Sequence, residues 1–134
     1  MAQMKVMVKS NVGEIRKEGK AVEAILPGQF LELTSAGVKL QSNAGDDAAL
    51  YIAVENSNMG KKITDAYAIA DQVQYNVATR GQVVYGQATG TFAIGTYCEL
   101  NAVGAVIPLS SGVSKLIALE AQASGTNFIN MEVI

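Results

Sequence analysis

Two glutamates raise the first chemical question. Glu32 lies in GQFLELTSAG (residues 28–37) and Glu99 in GTYCELNAVG (residues 95–104). Both phrases run Gly, polar residue, aromatic, any residue, Glu, Leu, three residues, Gly. Two equivalent carboxylates are raw material for a general acid–base pair. Such a pair needs company, and the chain has no histidine. That removes the commonest general base and metal ligand, and with it Ser–His and Cys–His activation of a nucleophile. Strand periodicity puts Glu32 beside Phe30 and Glu99 beside Tyr97, opposite Leu31, Leu33, Cys98 and Leu100. The leucines therefore read as core residues and the two glutamates as solvated structural ones.

The remaining candidates fail on spacing. GEIRKEGKA (residues 13–21) echoes a phosphate loop, but five residues separate its glycines and Ala21 stands where a magnesium-binding hydroxyl is required. Asp46-Asp47 in SNAGDDA lacks the alternating acidic ligands and terminal glutamate of a calcium loop, so an ordinary turn is expected. A lone cysteine, Cys98, excludes an intrachain disulfide and a structural zinc site built by one chain. It reads as a small buried thiol. Five tyrosines and no tryptophan form no recognisable platform for sugars or bases. The sequence reads as a non-enzyme with no cofactor and no metal site.

The elements that carry these residues are short. MKVMVK (residues 4–9) alternates and reads as a strand. Residues 10–20 are polar and charged, a loop or an extended arm. AVEAI (residues 21–25) opens a second strand, stopped at Pro27-Gly28. QFLELT and VKLQS flank SAG as a hairpin, and ALYIAVE (residues 49–55) is of strand length. VQYNVAT puts Val73, Tyr75 and Val77 on one face and Gln74, Asn76 and Ala78 on the other. GQVVYGQAT, TYCELN, GAVIPLSSG and NFINMEVI continue the pattern, with Pro108 at an edge or strand end. KLIALEAQA has helix formers, but it matches an earlier strand and is read as a strand. Turn signals every 8–12 residues with no capped helical period predict an all-β sandwich or barrel.

The two phrases belong to a longer repeat. Gly28, Glu32, Leu33, Gly37 and Gly45 recur 67 residues later as Gly95, Glu99, Leu100, Gly104 and Gly112. IAVE (residues 52–55) then meets IALE (residues 117–120) at an offset of 65. This order predicts an internal hairpin duplication. The organisation expected is an N-terminal strand and charged arm over residues 1–19, then a single β domain over residues 20–134.

Hydrophobic residues make up 49% of the 134 and charged residues 16%, below the roughly 25% of an average soluble domain. Either some surface is hidden against a partner, or Ala and Gly inflate the apolar count. No run approaches the ~18 apolar residues of a membrane span, and residues 1–13 hold no secretory h-region. Residues 1–20 carry five basic and two acidic side chains, a net +3, while the rest carries five basic and ten acidic, a net −5. The basic group Lys5, Lys9, Arg16, Lys17 and Lys20 is either a solvated loop or a segment that docks on an acidic surface. It is too small to argue for nucleic acid.

The order GQFLELTSAGVKL, YIAVEN, DAYAIADQVQYNVATRGQVVYGQA, IGTYCELNAVGAV, LIALEA, NFINMEVI resembles the capsid decoration (cement, or head-stabilising) proteins of tailed bacteriophages. The resemblance covers residues 20–134; Ala70-Asp71 departs from it where such proteins often carry glycine. It implies a β-barrel or β-sandwich on the outside of a virion head, a homotrimer whose partner is the major capsid protein. The protein would be made in the host cytoplasm and would tie neighbouring capsid subunits together; the charge of the N-terminal arm makes its five basic residues the candidate capsid contacts. Two other readings stay open. One is a non-catalytic module binding a carbohydrate or host receptor, which clustered exposed aromatics would favour. The other is a small hydrolase or carrier barrel, which convergent acid and base groups would favour.

Overall fold

The computed structural model describes Val6 and residues 14–134. The strand expected over residues 4–9 lies outside the described residues except for Val6, as do Lys5 and Lys9. Among the described residues ten strands form: β1 (Arg16–Lys20), β2 (Phe30–Thr34), β3 (Gly37–Leu40), β4 (Tyr51–Ala53), β5 (Gln72–Val77), β6 (Val83–Thr89), β7 (Tyr97–Leu100), β8 (Val106–Pro108), β9 (Leu116–Ala118) and β10 (Thr126–Val133). One 3-10 turn, Ser57–Met59, is the sole helical element among the described residues. The fold is all-β. Pro108 ends β8, and KLIALEAQA supplies β9.

The strands divide into two units. The first is a five-stranded sheet ordered β1-β5-β4-β2-β3; the second is a closed barrel ordered β10-β6-β8-β7-β9. Read from β6, the barrel runs β6-β10-β9-β7-β8, so each strand of the first unit has a counterpart five places later. The registers agree as well. Arg16 faces Asn76 as Val83 faces Glu132, and Phe30 faces Ile52 as Tyr97 faces Ile117. A parallel contact of Ala88 with Val106 closes the barrel, and one of Ala21 with Val38 links the first sheet back on itself. The units differ in their hairpin turns. Thr34 pairs with Gly37 across two residues, whereas Leu100 pairs with Val106 across the longer 101–105 connection.

Period two explains what each face buries. In the first unit Leu31, Val38, Ala53, Val73 and Tyr75 point to one face and form a small cluster with Ala21, Ile25 and Tyr67. Phe30 and Ile52 point to the other face and join the main core, where Val84, Cys98, Leu100, Leu116 and Met131 lie. Main-chain bonds stitch the units together: Phe30 N donates to Gly104 O (2.7 Å), Gly45 N to Leu100 O (2.7 Å) and Gln87 N to Gly28 O (2.9 Å).

Three local expectations are corrected. AVEAI is not a strand. Ala21 pairs with Val38, the chain then crosses, and Ile25 exchanges two bonds with Tyr67, so no continuous ladder forms. Residues 16–20 are not a free arm but the edge strand β1, paired along its length with β5. Gly19 permits this, because a Cβ there would lie 2.7 Å from Val38 Cγ1. Leu33 is not a core residue: it is 48% exposed at the end of β2, whereas its counterpart Leu100 is buried.

Candidate functional site

The basic side chains of β1 do not converge. Arg16, Glu18 and Lys20 share one face of the strand and Lys17 takes the other, and all four are exposed. Arg16 is held in place: Nη1 donates to Gln74 Oε1 (2.7 Å) and Nη2 meets Glu14 Oε2 (2.9 Å). Gln74 in turn donates to Asn56 Oδ1 (3.0 Å), and Ile15 N donates to Asn76 Oδ1 (2.9 Å). Gln74 and Asn76 are buried polar residues that anchor this ladder, and Asn76 also reaches Gln82. Lys17 and Lys20 therefore remain as exposed cations on a rigid edge, and Arg16 serves the scaffold.

The two glutamates stand in different environments. Glu32 accepts from Ser42 Oγ (2.7 Å) and pairs with Lys39 Nζ (3.2 Å). The Ser42 hydroxyl, helped by Lys39, holds its carboxyl below the ordinary value. Glu99 is buried, which corrects the expectation of a solvated residue. Its Oε1 accepts from Ser110 N (3.0 Å), and its Oε2 lies against Gly112 and Gly45 without a hydrogen-bond partner. The loops carrying those glycines close over it; Val113 N donates to Gly45 O (3.0 Å). The two carboxylates are thus separated by unit and environment, and nothing pairs them as acid and base. Asp47 of the SNAGDDA turn meets Lys115 Nζ at 2.9 Å. Among the described residues no three His, Cys, Asp or Glu side chains gather as metal ligands. Cys98 is fully buried, and burial pushes its thiol up to about 12.

A feature that sequence reasoning missed is an uncharged strip on the barrel's outer wall. Leu109, Tyr97 and Ile117 lie side by side across β7 and its neighbours: Leu109 N donates to Tyr97 O (2.8 Å), and Tyr97 is opposite Ile117. Tyr97 is 52% and Leu109 42% exposed, and Ile94 and Leu119 stand nearby, also exposed. The sequence signal was there in LIAL, whose outward positions Ile117 and Leu119 are apolar, whereas TYCEL presents Tyr97 and Glu99 on that face.

No family model and no curated protein matches the chain. Among solved structures the chain is similar to the N base of head fiber gp8.5 of bacteriophage phi29. The TM-score is 0.61 at 11% identity, over 91% of this chain and 95% of that chain. The likeness spans both five-stranded units and concerns the fold.

Proposed function

We propose that this chain is a non-enzymatic structural protein of a tailed-phage virion, docked on the outside of the head. In this reading it is a homotrimer that binds the major capsid protein and stabilises contacts between its subunits. The observation that carries the reading is the fold likeness to a phage head-fiber base over nearly the whole of both chains. The chemistry supports it: no histidine is present, and the described residues hold no metal-ligating cluster. Two small units locked by main-chain bonds suit a rigid adaptor, and many copies on one lattice gain strength by avidity.

The shared strand order and register also support reading the two units as copies of one duplicated ancestor, the hairpin repeat being its surviving trace. In this reading the capsid contact is the basic group Lys5, Lys9, Arg16, Lys17 and Lys20, of which Arg16 is also bonded to Gln74 and Glu14.

The experiment is to add purified protein to heads of the encoding phage that lack it. Binding and greater head resistance to heat are expected. Lys17→Glu with Lys20→Glu is expected to weaken binding at least tenfold, more so at low salt, without lowering Tm. No binding to stripped or expanded heads would refute the reading. Unchanged binding by the charge-reversed protein would remove the basic edge from the contact.

A further inference from the structure

The two units expose the same row of positions to opposite fates. In the first unit the row Gln41, Phe30, Ile52 and Asn76 crosses β2, β4 and β5, since Gln41 N donates to Phe30 O (2.9 Å) and register links the others. All four are buried, and the second unit covers each one. Gly104 N donates to Gln41 O (3.2 Å) and Phe30 N to Gly104 O (2.7 Å). Ile52 and Phe30 fill the space over Gly86, where a Cβ would meet them at 3.1 and 3.2 Å. Asn76 Nδ2 donates to Gln82 Oε1 (2.8 Å). In the second unit the matching row is Leu109, Tyr97, Ile117 and Glu132. Among the described residues no third unit covers it: Tyr97 and Leu109 are exposed and Ile117 half-buried.

We infer that this outer row of the barrel is a self-association face, packing against its counterpart on other copies of the chain around a shared axis. The occupant is argued from the molecule's own practice. The one place where the row is covered, it is covered by another unit of this same fold. The exposed version is also suited to its own kind. Its centre is uncharged, with Glu132 at one end, so like faces can meet without burying unpaired charge. A tyrosine among aliphatic residues is the composition of an interface core. Ile94, three residues before Tyr97, and Leu119, two after Ile117, are further exposed apolar residues on the segments that carry the row. The sequence differs in the same sense at Asn76, whose side chain bonds Gln82, while Gln41 meets the second unit through its main chain; the second unit has Glu132 and Leu109 at these places.

This inference rests on the oligomeric part of the virion reading and is read on the protein alone. Light scattering after size exclusion is expected to show an oligomer for the full chain. Tyr97→Lys with Leu109→Lys should weaken assembly at least tenfold and leave the circular dichroism unchanged; the milder Tyr97→Ser should weaken it less. Leu33→Lys, an exposed apolar position outside the row, should leave assembly intact. In a Cys98→Ser background, Leu109→Cys should form an intermolecular disulfide on oxidation. A strictly monomeric wild type overturns the inference, as does an oligomer indifferent to the double substitution. A monomer whose head binding is lost on the double substitution would assign the face to a different virion protein and equally overturn self-association. Failure of an intact oligomer to bind heads would count against the capsid role alone.

Discussion

Phe30 and Tyr97 occupy the same position in two units of the same strand order, each opposite an isoleucine, Ile52 and Ile117. Phe30 is 1% exposed and Tyr97 52% exposed. The difference comes from what lies outside the strand, since the second unit sits on Phe30 and nothing among the described residues encloses Tyr97. Phe30→Ala is therefore expected to cost about 3–5 kcal/mol, as removal of a buried aromatic does. Tyr97→Ala should cost within about 0.5 kcal/mol in dilute, monomeric protein. Urea unfolding of the two variants side by side measures the contrast.

Gly28 and Gly95 are a second matched pair, with φ of +87° and +91°. A side chain is strained at either position, by roughly 1–2 kcal/mol. At Gly95 a Cβ meets nothing within 4 Å, whereas at Gly28 it would strike the ring of Phe128. Gly95→Ala should thus show the backbone cost alone. Gly28→Ala should add an overpacking cost of about 1–3 kcal/mol, and trimming the ring with Phe128→Leu should recover part of it. Thermal unfolding of the three proteins tests this.

Cys98 should be inert in the native protein. Burial raises its thiol to about 12, partly offset by a bond from the backbone of Ala118. Iodoacetamide at pH 8 should leave it unmodified until denaturant is added. The unfolded chain ionises the thiol near pH 8.5 while the folded chain does not. This contribution to stability is therefore full below that pH and declines as pH rises towards 12. Cys98→Ala should remove that part of the alkaline slope.

Glu32 works in the opposite sense. Its carboxyl is held low first by the Ser42 hydroxyl and then by Lys39. Its contribution is present above the unfolded value, about 4.3, and is lost as pH falls through the lower folded value. Carboxyl titration by NMR should show a depressed midpoint in the wild type. Ser42→Ala should raise that midpoint more than Lys39→Met does.

Much of the strand plan was legible because alternation is a local property. β5 and the Ile129–Val133 part of β10 alternate apolar and polar residues. β1 was not legible as a strand, since RKEGK carries no apolar residue to set a phase. Its pairing depends on the free edge of β5 and on the space left by Gly19. AVEAI failed in the other direction: its end residues Ala21 and Ile25 are buried by crossing between two partners, which a strand pattern cannot distinguish. Of the candidate contacts, Arg16 proved to be bonded into the scaffold, which charge counting cannot reveal.

The sequence by itself determined the β class, the turn positions, the repeated phrase and the want of catalytic partners, because these follow from residue type and short-range spacing. Only the tertiary structure decided which copy of each repeated residue is buried. Glu32 stays near the surface and Glu99 is enclosed, Leu33 is exposed and Leu100 buried, Phe30 is covered and Tyr97 open. Period two chooses the face of a strand on which a side chain lies. Whether that face meets water depends on what packs against it: for Phe30 that is the second unit, and for Glu99 the loops of Gly45 and Gly112.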